Sequence, residues 1–169
     1  MNQQTISKEI NYINNVVIEN KMFFKMINII LEYFKPIELK YDLNADRNLV
    51  GDLIITLSDS TDKYIGFRIR CYDYYLYYSN DLTIRQFELK KILEQKGDYY
   101  LYAFMNENET EIIKYSIIDL NEFRKIFNKR KDFEFNYTVR YNKDDTKFYA
   151  FKLYNYRTAV IKQMPYELD

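Results

Sequence analysis

Apolar residues recur mostly at three- and four-residue spacing between residues 7 and 34, which predicts a helix in one or two pieces. Ser7 is a suitable N-cap for it, and Pro36 ends it. A second helix is predicted over 87–96, closed by Gly97. The sequence Asp119-Leu120-Asn121-Glu122 has the form of a capping box and predicts a third helix that reaches about Lys131.

Short apolar or alternating runs predict the strands. They lie at 49–57, 64–71, 99–105 and 112–118, with a final hairpin of 133–140 and 147–153. Residues 37–40 are expected to be extended, and 72–84 irregular with strand character near 82–85. Because no repeat, low-complexity tract or linker separates these elements, we expect one α/β (α+β) domain over 1–169. Its mixed central sheet should be flanked by helices.

The composition narrows the possible chemistry. The 169 residues are 47% hydrophobic and 30% charged, the balance of an ordinary globular protein. There is no histidine, which excludes every mechanism that needs an imidazole. The single cysteine, Cys71, excludes an internal disulfide and a cysteine-rich zinc site. With only three glycines, a glycine-rich phosphate loop is also excluded.

Charge and hydropathy bear on location and partners. The formal net charge is zero, which argues against a general polycationic surface but allows a local basic groove. The most apolar run, residues 22–34, is interrupted by charged and polar residues, so no membrane span is expected. No targeting signal is visible at the N-terminus, and a lone thiol fits a reducing cytoplasm, that of a host cell if the protein is viral.

Two acidic residues are candidates for metal binding. Asp52 follows Gly51 directly and enters an apolar strand, and Asp46 lies six residues earlier. A carboxylate at the mouth of a buried strand is costly unless it is paired or holds a cation. The pair therefore indicates either a divalent-metal site of the kind that cleaves phosphodiesters, or a turn cap or ion pair with an arginine.

The next strand carries Arg68 and Arg70. Strand alternation places both on one face, opposite Phe67 and Ile69. Two guanidinium groups on one face require anions, and carboxylates and phosphates are the natural choices. Two interpretations follow: the arginines bind a partner or a phosphate, or they neutralise Asp46 and Asp52.

A tyrosine cluster follows these arginines and precedes Arg85. Aromatic residues interleaved with arginine suit both base stacking and protein interfaces. We expect about half of the cluster to belong to the core. Its members are Tyr72, Tyr74, Tyr75, Tyr77 and Tyr78. The later loop at 142–148 has ordinary Asn/Asp turn chemistry, and it lacks the glycine and glutamate of an EF-hand.

The order helix, loop, aspartate-bearing strand, charged strand, helix and two strands resembles the PD-(D/E)XK nuclease-like fold. Segments at 97–104, 115–120 and 145–151 are similar to small phage and mobile-element proteins related to that fold. The resemblance covers about residues 7–155 and implies a restriction-endonuclease-like domain. It implies that Asp52 is the first-strand acid and that Glu9 or Glu32 is the helix acid.

The sequence departs from this pattern on the second strand. Arg68 stands at the position of the second acid, and Arg70 at that of the lysine. A guanidinium in place of a carboxylate removes a ligand for Mg²⁺ and puts positive charge where the metal belongs. We therefore expect a degenerate site, with no cofactor.

Three functional hypotheses follow. The first is a viral or mobile-element protein that acts by binding a host nucleic-acid-handling protein, in the manner of an anti-CRISPR inhibitor, or nucleic acid itself. Its contacts would be the arginines and the exposed tyrosines, and zero net charge favours a protein partner. The second is an active Mg²⁺-dependent nuclease that uses Asp52 and Asp46. The third is a structural or assembly protein; the oligomeric state is not predicted.

Overall fold

The fold was analysed from a computed structural model of the chain, which describes residues 22–41, 53–129, 137–142 and 145–165. The larger of two sheets in these ranges has six strands. They are β1 (Glu38–Tyr41), β2 (Leu53–Thr56), β3 (Asp62–Arg70), β5 (Tyr99–Met105), β6 (Ile112–Asp119) and β9 (Val160–Met164). Their order in the sheet is β1-β2-β3-β5-β6-β9. Only β3 and β5 are parallel neighbours. The sheet is therefore mixed, as expected.

A second sheet has three antiparallel strands in the order β4-β8-β7. They are β4 (Asp81–Arg85), β7 (Thr138–Tyr141) and β8 (Lys147–Lys152). The predicted final hairpin is confirmed as β7 and β8, although 133–136 lie outside the described residues. A 3-10 turn over Leu153–Tyr156 then leads to β9, and neither element was predicted.

Four helices accompany the sheets in the described part of the chain. They are α1 (residues 22–34), α2 (Tyr72–Tyr78), α3 (Gln86–Leu93) and α4 (Leu120–Lys129). The expectation that 72–84 is irregular was wrong for its first half, since α2 occupies it. The predicted helix over 7–34 is confirmed from residue 22 onward, and its earlier part lies outside the described residues.

The capping box predicted before α4 is present in part. Asp119 Oδ1 accepts hydrogen bonds from the backbone N–H groups of Asn121 and Glu122, as an N-cap should. In a complete capping box the Glu122 side chain would accept the Asp119 N–H. Here that N–H donates instead to the carbonyl of Ala159. The helix therefore begins where the sequence places it.

Two cores lie on opposite faces of the large sheet, and β5 contributes to both. Its alternate residues Leu101, Ala103 and Met105 join a core covered by α1, which contributes Met22, Met26 and Ile30. The other face of β5, with Tyr100, Tyr102 and Phe104, joins a tyrosine-rich core covered by the small sheet, α3 and α4. A strand buried on both faces is a near-continuous apolar run, which is why its bounds were predicted correctly.

Candidate functional site

Arg68 and Arg70 share one face of β3, as strand alternation predicts. The β-ladder sets Arg68 beside Tyr102 and then Ser116, and Arg70 beside Phe104 and then Lys114. Directly opposed residues point to the same face of a sheet. Two rows of side chains therefore cross β3, β5 and β6 on the face of the tyrosine-rich core.

The first row is held by a carboxylate from α3. Arg68 Nη2 lies 3.5 Å from Glu88 Oε1, and the two side chains are only 12% and 14% exposed. Glu88 Oε2 also accepts the backbone N–H of Arg85 at 3.0 Å, at the start of α3. Arg68 thus joins β3 to the helix that follows β4, rather than reaching solvent.

The same row continues with a buried hydroxyl pair. The Tyr102 and Thr83 hydroxyl oxygens lie 2.6 Å apart, and both residues are fully buried. Since β4 is an edge strand of the small sheet, this bond helps to dock that edge onto the large sheet.

The second row lies under α2. Arg70 Nη2 donates to the carbonyl oxygen of Thr83 at 3.2 Å, and its guanidinium carbon lies 4.8 Å from the centroid of the Tyr74 ring. At the other end of the row, buried Lys114 donates from Nζ to Asn80 Oδ1 at 2.9 Å. Two cations therefore flank Phe104 beneath a tyrosine-rich helix.

The predicted tyrosines lie on α2 in different environments. Tyr75 packs edge-on against Phe104, and Tyr74 and Tyr78 pack against Phe148 of β8. Tyr72 stacks on Tyr75 and is half-buried. The Tyr74 hydroxyl donates to Asn142 Oδ1, and burial raises the pKa of Tyr74.

The opposite side of α2 is open to solvent. Tyr77 is 79% exposed and Leu76 58%, and Asp73 is exposed on the same side. These positions have the three- and four-residue spacing that places side chains on one helix face. We call Asp73, Leu76 and Tyr77 the outer face of α2. None of the seven residues of α2 is buried.

The remaining candidate residues fall into two groups. Asp46, Asp52 and Glu9 lie outside the described residues, so the predicted Mg²⁺ site stays a prediction. Glu32 is exposed on α1, and Arg85 is half-buried at the start of α3. Within the described ranges, no three acidic or cysteine side chains are grouped so that they could hold a metal ion.

Sequence reasoning did not single out three residues that build this region. Glu88 and Thr83 bind the arginines, but they follow them by more than ten positions and only the fold brings them close. Lys114 could have been identified from the sequence. Strand alternation puts it on the same face as Ser116 and Ile118, within an otherwise apolar strand. A lysine at a core-facing position indicates a specific polar partner.

The sequence matches no protein-family model and no curated protein. None of the described helices is long and apolar enough to cross a membrane.

Proposed function

We propose that this protein acts by binding another protein, and that the outer face of α2 is its contact surface. The observation that carries the proposal is the contrast between the arginines and the exposed tyrosine. Arg68 and Arg70 bond inward to Glu88 and Thr83, whereas Tyr77 is 79% exposed beside Leu76. Tyrosine is among the residues most enriched in interface hot spots.

Zero net charge favours a protein over a nucleic acid as the partner. Phosphate binding needs several free cations on one surface, and the outer face of α2 carries Asp73 instead. The resemblance to small phage proteins suggests the partner's class. We propose a host protein that handles nucleic acid, inhibited in the manner of anti-CRISPR proteins.

The test compares capture by the parent, Tyr77→Ala and Tyr154→Ala. Tyr154 is 71% exposed and lies in the 3-10 turn before β9, so it is a matched control. Tagged proteins are incubated with a bacterial lysate, and captured proteins are identified by mass spectrometry. Binding of each purified candidate is then measured directly.

The expected result is a nucleic-acid-handling protein that binds the parent and Tyr154→Ala alike. Tyr77→Ala should weaken this binding at least about tenfold, because hot-spot truncation costs about 2 kcal/mol. Circular dichroism should show both variants folded, since surface substitutions change stability by about 0.5 kcal/mol or less. Equal binding by all three proteins would refute the proposed surface.

A further inference from the structure

Strand β7 is an edge of the small sheet, and among the described residues only β8 pairs with it. All four of its residues are exposed. Val139 is 37% exposed and Tyr141 65%, and strand alternation puts both side chains on one face. An open edge of β-branched and aromatic residues is a template for pairing with another strand.

The β7–β8 ladder shows which backbone groups of β7 point outward. Asn142 follows β7 in the same register, and its N–H donates to the Thr146 carbonyl at 3.0 Å. Hydrogen-bonded and non-bonded pairs alternate along an antiparallel ladder, so Arg140, two residues earlier, also bonds to β8. The backbone N–H and C=O groups of Val139 and Tyr141 therefore point away from β8, toward an incoming strand.

The other three edge strands of the described sheets are protected. On β4, the opposite edge of the small sheet, the Thr83 carbonyl accepts a hydrogen bond from Arg70. In the large sheet, β1 carries the ion pair of Glu38 and Lys40, and β9 is followed by Pro165. Charged side chains and proline are the usual means of blocking an edge. β7 is therefore the edge best suited to accept another strand.

Arg140 determines what kind of strand can pair with this edge. It is the one charged residue of β7 and makes no ion pair with a described residue. An antiparallel strand that bonds to both Val139 and Tyr141 places its middle residue opposite Arg140, in a non-bonded pair whose side chains lie close together. A second copy of β7 would put its own arginine there, and directly opposed like charges are destabilising. A carboxylate there would form an ion pair instead.

We infer that β7 binds an extended segment of another protein in which an acidic residue lies between two apolar residues. The apolar residues pair with Val139 and Tyr141, and the acidic residue pairs with Arg140. In strand addition of this kind, main-chain hydrogen bonds supply affinity and alternate side chains supply specificity. The inference does not rest on the proposed function, because β7 and the outer face of α2 share no residue.

The test titrates the probe peptide acetyl-Thr-Val-Glu-Val-Thr-amide into the full ¹⁵N-labelled chain and follows the backbone amides by NMR. The same peptide with lysine in place of glutamate is titrated in parallel. Arg140→Glu reverses the charge at the edge, and Arg157→Glu, at an exposed arginine in the turn before β9, is the matched control. Val139→Pro removes one outward N–H without removing a bond to β8.

The expected result is a saturable shift of the Val139 and Tyr141 amides, with the glutamate peptide bound at least about fivefold more tightly than the lysine peptide. Arg140→Glu should reverse this preference and Arg157→Glu should keep it. Val139→Pro should lose binding while its circular dichroism stays that of the parent. No saturable shift, or equal binding of the two peptides, would overturn the inference. Dimerisation of the parent that Val139→Pro abolishes, measured by sedimentation, would also overturn it, because a second copy would then occupy the edge.

Discussion

Arg68 of β3 and Glu88 of α3 form an ion pair across the tyrosine-rich core, with Nη2 3.5 Å from Oε1. The nineteen residues between them include α2 and β4. The pair therefore fixes where this crossover segment returns to the sheet. Glu88 also accepts the Arg85 N–H, so one carboxylate both begins α3 and anchors it to β3.

Removing one member of this pair should destabilise the fold strongly. Glu88→Gln removes the carboxylate charge beside Arg68 in a poorly solvated site, and we expect a loss of about 3 kcal/mol in the free energy of unfolding. Urea denaturation measures it. Glu122→Gln is the matched control, since its exposed pair with Lys125 at 3.0 Å should contribute less than about 1 kcal/mol. Equal losses in the two variants would contradict the structural role of Arg68.

Arg124 should be a second point of high sensitivity. Its guanidinium donates to the carbonyls of Ile92 and Gly97 at 3.0 and 3.2 Å, and to Asn121 Oδ1 at 2.5 Å. It thus ties α4 to the C-terminal end of α3, where the Ile92 carbonyl also accepts the backbone N–H of Gln95. Burial lowers the pKa of Arg124, but the group stays charged at every accessible pH.

We expect Arg124→Ala to cost about 3 kcal/mol, because it deletes three hydrogen bonds of a buried guanidinium together with its packing. Arg157→Ala, at an exposed arginine, should change stability by about 0.5 kcal/mol or less. Chemical denaturation of both variants provides the measurement. Parent-like stability in Arg124→Ala would show that water replaces these bonds without cost.

The sequence predicts those elements of the fold that depend on residues close together in the chain, and it fails for those that depend on distant contacts. β5 was predicted with its observed bounds, because a strand buried on both faces is apolar throughout. α2 was missed because tyrosine favours strands and because six of its seven residues are aromatic or apolar, so that no polar face indicates a helix. Its helix depends on distant contacts, notably Tyr75 on Phe104 and Tyr74 on Phe148.

Part of the candidate site was likewise predicted from the sequence, and part was not. Alternation correctly put Arg68 and Arg70 on one face, because that follows from the period of a strand. What each arginine contacts did not follow, since Glu88 and the Thr83 carbonyl reach them only through the packing of the small sheet. Which tyrosines of α2 are exposed likewise depends on how the helix is oriented about its own axis when it packs on that sheet.

Alkaline pH should destabilise the protein through four half-buried tyrosines. Burial raises the pKa of Tyr74, Tyr99, Tyr115 and Tyr137 above the ordinary value of 10.0. In the unfolded chain these phenols ionise first, so stability is fully present below pH 10 and falls as the pH rises toward their folded pKa values. Urea denaturation between about pH 9 and 11 should show this decline.

Tyr74→Phe should flatten part of the decline, because it removes one of the four groups. Tyr154→Phe supplies the control, since Tyr154 is exposed and its side chain contributes nothing to the core. Absorbance of tyrosinate near the ultraviolet edge gives an independent record of the ionisation. If Tyr74→Phe followed the parent at every pH, burial of this phenol would not be the cause.

The last prediction concerns cleavage. If the protein acts only by binding, the parent should not cut labelled single- or double-stranded DNA or RNA in Mg²⁺ or Mn²⁺. The physical reason is that Arg68 and Arg70 put two permanent cations on one face of β3. In the nuclease-like pattern that the sequence resembles, this strand would supply a carboxylate for the metal. Neither can serve as a general base. Asp52→Ala is the informative comparison. Metal-dependent cutting that disappears in Asp52→Ala would instead establish the nuclease hypothesis, with Asp46 as the next ligand to replace.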